Sequence, residues 1–152
     1  MPVTTHTALV DRAARWLRSQ GCSTVVTRKS AGMGFEEPDA IGWKGFGWSL
    51  LVECKAGRAD FLRDRKKPHR VHPSLGVGTR RVYFAPPGVI QPHELPPSWG
   101  LVEVSGQRCK VVVQPRDQPE KNRHAELCIL LAHCRRLEGV RKPYPGEPQP
   151  CP

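Results

Sequence analysis

At 152 residues the chain has the length of one compact domain, and its 24 Lys and Arg against 14 Asp and Glu leave a net charge of +10. That excess points to a polyanionic partner, nucleic acid above all. No stretch approaches the ~20 consecutive apolar residues of a membrane helix, and the N-terminus lacks a secretory core, so a cytoplasmic protein without membrane contact is expected.

Six cysteines, at 22, 54, 109, 128, 134 and 151, contain no CxxC pair, which argues against a zinc ribbon or a disulfide scaffold and for reduced thiols. The basic charge is uneven. Residues 54–81 hold Lys55, Arg58, Arg63, Arg65, Lys66, Lys67, Arg70, Arg80 and Arg81 against Asp60 and Asp64 alone.

Residues 4–20 set Leu9, Ala13, Trp16 and Leu17 at helical spacing with Gly21 as a stop, predicting an amphipathic helix. A strand over 22–27 follows, then a loop over 29–37 containing Gly32 and Gly34. Asp39–Trp43 and Trp48–Lys55 flank Lys44-Gly45-Phe46-Gly47 as an antiparallel hairpin. A turn that pairs Lys44 with Gly47 sets Asp39 opposite Val52, one residue short of Glu53; an adjusted turn or a bulge aligns the two acids.

Gly57–Lys67 reads as a basic helix ended by Pro68, and 68–79 as an exposed loop. Residues 80–85 return as a strand with Val82 and Phe84 on one face. Five prolines over 86–98 predict an extended, mostly structureless connection, and Leu101–Val104 with Arg108–Val113 a second hairpin. A last helix over about 119–137 aligns Leu127, Leu130, Leu131, Cys134 and Leu137, and five prolines in residues 143–152 predict a disordered tail after a domain spanning 1–142.

The chemistry centres on Pro38-Asp39 and Glu53-Cys54-Lys55. Side chains two apart on a strand share a face, so Glu53 and Lys55 point together, and the Cys54 carbonyl lies on the strand edge between them. Two close carboxylates repel and raise each other's pKa unless a cation separates them. Mg2+ or Mn2+ bound by Asp39, Glu53 and the Cys54 carbonyl offsets that repulsion and polarises a phosphodiester. Lys55 then orients or deprotonates the attacking water, or neutralises charge developing on the phosphate.

Arg58, Arg63, Arg65, Lys66, Lys67 and Arg70 are the phosphate-contact candidates, since clustered long cations bind backbone without reading sequence. Asp60 and Asp64 are expected to serve as structural partners of Arg63 and Lys67. Trp43, Trp48 and Trp99 are open as stacking platforms for unpaired bases, while Trp16 is expected in the core.

These residues resemble the PD-(D/E)XK nuclease superfamily. The run Leu51-Val-Glu-Cys-Lys-Ala-Gly-Arg-Ala-Asp-Phe-Leu-Arg-Asp-Arg-Lys66, with Arg81-Val-Tyr-Phe-Ala-Pro-Pro87 and Trp99-Gly-Leu-Val-Glu103, is similar to the small MmcB-type proteins assigned to DNA repair, over about residues 6–113. The resemblance implies a single α/β domain of restriction-endonuclease-like fold, a central mixed β-sheet flanked by helices. It also implies Asp39 and Glu53 as metal ligands and Lys55 as the catalytic lysine, with Glu37, ahead of Glu36, as a further acid.

The expected activity is metal-dependent hydrolysis of DNA, branched or single-stranded forms included, in repair, recombination or phage DNA processing, with a homodimer where both strands are cut. A noncatalytic nucleic-acid-binding repair factor and a Pro-rich interaction protein are the rivals.

Overall fold

Thr5 starts the first helix, its hydroxyl accepting the Ala8 N–H at 3.2 Å. That helix, α1 (His6–Ser19), ends where Gly21 turns the chain at φ +89°. The computed structural model describes residues 5–27 and 36–139. The expected loop over 29–37 falls mostly, and the tail over 143–152 entirely, outside the described residues.

Six strands follow in chain order and stand in that same order in one sheet: β1 (Thr24–Thr27), β2 (Ala40–Trp43), β3 (Ser49–Cys54), β4 (Arg80–Ala85), β5 (Gly100–Ser105) and β6 (Arg108–Val113). β3, β4 and β5 run parallel to one another, and the remaining neighbours are antiparallel. This is an α/β domain with a mixed sheet, as expected.

The period of two in β3 and β4 decides which helix each side chain meets. Leu50, Val52, Val82 and Phe84 face α1, where Leu9, Ala13, Trp16 and Leu17 cover them. Leu51 and Tyr83 face the other way, toward Phe61, Trp99, Ala125 and Ile129. Gly42 lets α1 approach β2 closely, because a Cβ there would stand 2.8 Å from the Cys22 side chain and 3.3 Å from Leu17.

The basic segment is two helices, not one. α2 (Arg58–Asp64) stops short of the expected Lys67, and Pro68 opens a second, α3 (Pro68–Val71), which suits a residue without an N–H to donate. The expected exposed loop over 68–79 holds only in part: Pro68 and 71–75 are exposed, but Arg70 and 76–79 are buried. Buried Arg81 reaches back to the carbonyls of Pro73, Gly76 and Val77 at 2.8–3.1 Å and ties the segment down.

The proline-rich connection is likewise more ordered than its composition predicts. β4 and β5 are parallel, so the chain must cross between them, and residues 86–99 do so as a strap with a 3₁₀ turn at Pro92–Glu94 and buried Ile90 and Trp99.

The last helix, α4 (Arg123–Leu137), turns a different face inward from the one its leucines predict. Ala125, Glu126 and Ile129 are buried, Leu130 is partly so, and Leu127, Leu131, Cys134 and Leu137 are exposed. The cause is polar. Glu126 accepts the Ser49 hydroxyl at 2.8 Å and the Gly78 N–H at 2.7 Å, and a buried carboxylate held by two donors fixes the helix rotation.

Candidate active site

The turn between β2 and β3 takes the extra residue needed to align the two acids. The Lys44 N–H bonds the Trp48 carbonyl, Ala40 pairs with Val52, and one more step of that register sets Asp39 across from Glu53. The Cys54 N–H donates to Asp39 Oδ2 at 2.8 Å. Because N–H and C=O of one strand residue point to the same side, the Cys54 carbonyl projects along the edge where Asp39 sits.

Glu53 and Lys55 point to the same face, as their spacing predicts, with Lys55 Nζ 2.8 Å from Glu53 Oε1. Both are almost wholly buried. Around them lies a cluster of which the sequence announced only the Asp64–Lys67 pair: Asp64 is 3.2 Å from Lys55 and 2.8 Å from Lys67, which in turn is 3.4 Å from Glu53.

Arg70, expected to face a phosphate backbone, is instead buried at the centre of this cluster. Its guanidinium bonds Asp64 at 2.8 Å and Glu36, pairs by charge with Glu53 at 3.2 Å, and lies 4.6 Å from the centre of the Trp99 ring. The reason is the break between α2 and α3, which turns residue 70 under the sheet. Three carboxylates, Glu36, Glu53 and Asp64, thus meet three cations, Lys55, Lys67 and Arg70, in one buried network.

Of the two further candidate acids, the fold brings Glu36 and not Glu37 into this network. Glu36 is buried and accepts the Val77 N–H at 2.8 Å, whereas Glu37 is exposed. The α1 residue His6 was also missed: its Nε2 stands 3.1 Å from Asp39 Oδ1, at the mouth of the site. Only the approach of a helix N-terminus to a strand end brings them together, so no local sequence signal marks the pair.

Burial pushes the Glu53 carboxyl up to about 7, Asp39 and Asp64 push the same way, and Arg70 and Lys55 oppose them. Asp64 moves in the opposite direction: burial would raise it, but Arg70, Lys67, Lys55 and the Tyr83 hydroxyl at 2.7 Å hold it well below 3.8. Burial works against the charge of Lys55, yet Glu53 and Asp64 outweigh it and keep its pKa above 10.5. Lys55 is therefore a fixed cation at neutral pH. Burial, with Asp39 and Glu53 nearby, raises the Cys54 thiol well above 9.0, so it stays protonated.

Two carboxylates and a backbone carbonyl on one sheet edge are hard oxygen donors, the kind Mg2+ or Mn2+ takes. Among the described residues no three His, Cys, Asp or Glu side chains are placed to hold an ion by themselves, so such an ion would depend on the carbonyl and on water. The donors fit in kind. Burial first, and Asp39 beside it, disfavour the Glu53 carboxylate, so a further positive charge there would stabilise its ionised form. Lys67, 44% exposed and 3.4 Å from Glu53, is the cation that can most easily give way to it.

The other phosphate-contact candidates divide. Arg63, Arg65 and Lys66 are exposed around the end of α2, Lys67 is exposed but reaches inward, and Arg58 is already held by Glu94. Asp60 and Asp64 pair with Arg63 at 3.7 Å and Lys67 at 2.8 Å, as expected. Trp16, Trp43 and Trp99 are buried, and Trp48 is half-buried beneath Lys44 and Arg80.

No family model matches the chain, and no curated protein matches it. Its fold is similar to that of the SPO1766 protein of unknown function from Silicibacter pomeroyi. That structure aligns with a TM-score of 0.66 and 22% identity over 97% of this chain and 98% of the other. At that identity the likeness speaks for the fold alone. Among the described residues no helix is long and apolar enough to cross a membrane.

Proposed function

We propose that the protein is a metal-dependent nuclease of the PD-(D/E)XK type that hydrolyses DNA phosphodiesters. The observation that carries this reading is the meeting of Asp39, Glu53 and Lys55 at the open end of the β2–β3 hairpin, with the Cys54 N–H fixing the Asp39 carboxylate. A bound Mg2+ or Mn2+ would supply Lewis-acid polarisation of the phosphate and a more acidic water.

Within the chain, Asp39, Glu53 and the Cys54 carbonyl would hold that ion. Lys55, pinned between Glu53 and Asp64, lends its ammonium to the negative charge building on the phosphate oxygens. Asp64 and Tyr83 keep Lys55 placed from behind. Arg63, Arg65 and Lys66 carry the DNA backbone beside the site.

A second reading has its own support. Lys55, Lys67 and Arg70 already contact Glu53, which suits a fold that keeps the architecture and binds nucleic acid without cutting it. Labelled single-stranded, duplex, flapped and four-way-junction DNA, incubated with Mg2+, Mn2+ or EDTA, separates the two. Metal-dependent products that vanish in Lys55→Ala and Glu53→Ala are expected; binding without cleavage across the panel establishes the noncatalytic reading instead.

A further inference from the structure

The far end of the same hairpin carries a side chain that folding does not explain. Phe46, at the tip of the turn between β2 and β3, is fully exposed, with 111% relative accessibility. Its backbone sits at φ +61°, the left-handed region that disfavours every residue with a Cβ except, mildly, Asn and Asp. An apolar ring held in a strained conformation, with no cover among the described residues, destabilises the fold and gains nothing from packing.

The flanking backbone is open as well. A Cβ at Gly45 or Gly47 would meet nothing within 4 Å beyond its own chain neighbours. Gly47 needs its own φ of +69°, but no positive φ and no close neighbour requires glycine at 45. The tip is nonetheless anchored. The Lys44 N–H bonds the Trp48 carbonyl at 2.9 Å, and Arg123 of α4 donates to the Gly47 carbonyl at 2.8 Å.

Cations stand at its base: Lys44 Nζ and the Arg80 guanidinium lie 4.9 Å and 5.5 Å from the Trp48 ring, two residues along from Phe46, and Arg123 is the donor to the Gly47 carbonyl. The facing acids are Asp117, 2.6 Å from Arg80, and buried Glu126, 3.2 Å from Arg123, which leaves Lys44 without an acidic partner among the described residues.

We propose that this tip is a stacking site for unpaired nucleobases, with Phe46 as the ring that a base covers and Lys44 as the contact to the adjoining phosphate. A flat, exposed aromatic beside cations is the arrangement that binds single strands without reading sequence. A lone ring flanked by glycines and lysine offers no contiguous apolar area for a protein partner or a bilayer. At roughly 3.3 Å per strand residue, the five steps from Asp39 to Lys44 span about 17 Å, some five nucleotides at about 3.4 Å each. The inference rests on the nucleic-acid part of the proposed function and not on cleavage.

The test uses the full chain in EDTA at low salt, with a single-stranded oligonucleotide carrying 2-aminopurine and the same sequence as duplex. Anisotropy reads binding and quenching reads stacking. Phe46→Gly, which suits the backbone, is expected to weaken single-strand binding about 10- to 100-fold and abolish the quench, with duplex binding nearly unchanged; Phe46→Trp keeps both.

Unchanged quench and affinity in Phe46→Gly overturn the inference, as does an equal loss on duplex, or loss of self-association by light scattering with DNA binding intact. A wild-type protein that stacks the probe but cleaves nothing with Mg2+ leaves this inference standing and removes the nuclease reading. Cleavage with Phe46 silent does the reverse.

Discussion

Replacing Arg70 with Met removes the charge from the centre of the buried network while keeping a stem to cover Trp99. Glu36, Glu53 and Asp64 each lose a partner, but each keeps another: Val77 N–H for Glu36, Lys55 for Glu53, and Lys55, Lys67 and Tyr83 for Asp64. Breaking a buried ion pair from one side costs about 3–5 kcal/mol, and the remaining donors keep the loss within that range even with three acids affected. For a domain of this size that lowers Tm by roughly 6–20 °C.

The pH dependence is the sharper test. Asp64, held below 3.8, contributes stability that is present above that value and lost as pH falls; without Arg70 its pKa rises and the contribution shrinks. Glu53, raised from 4.5 to about 7, carries a folding penalty that is absent below 4.5 and grows as pH climbs toward 7. Loss of Arg70 raises that upper limit, adding up to about 1.4 kcal/mol per pH unit. Both effects have one sign, so the deficit of Arg70→Met in urea melts should be largest at pH 8 and shrink toward pH 4. A deficit below about 1 kcal/mol at pH 8, or one that is flat between pH 5 and pH 8, refutes the network as described.

Two further outcomes follow from packing and charge. Gly42→Ala places a methyl 2.8 Å from the Cys22 side chain beneath α1 and should destabilise by about 1–3 kcal/mol in the same melts; a neutral result would mean that α1 does not sit this close to β2. Duplex binding through Arg63, Arg65 and Lys66 should give a slope of about −3 in log K against log salt. A slope clearly steeper than that would mean that the inward-facing cations also reach phosphate.

Local pattern carried much of the fold. The apolar face of α1, the buried run of β3 and the pairing of β5 with β6 all follow from periods of 3.6 and 2 that adjacent residues display. Glu53 and Lys55 on one face followed from the same rule. The register that brings Asp39 to Glu53 was one residue short, because turn length is set by the strained Gly45-Phe46-Gly47 tip and strand periodicity does not report it. α4 was misrotated for a related reason: five apolar side chains on one stripe outvote one glutamate in any pattern, but a buried carboxylate with two donors outweighs them in the fold.

The basic segment shows why the site was only half legible. Of its nine cations, Lys55, Arg70 and Arg81 are buried, and Arg58 and Arg80 are engaged by Glu94 and Asp117. A charge count cannot distinguish a lysine that meets phosphate from an arginine that meets Glu36 thirty-four residues away in sequence, because the pairing exists only after the sheet has formed. The surface left for DNA is consequently narrower than the charge run implies, confined to the end of α2 beside the acids. The inward cations act within the protein, where they hold Glu53 and Asp64 ionised or poised next to Lys55. Much of the positive charge that the sequence offers as a binding surface therefore goes to keeping the site's own carboxylates together.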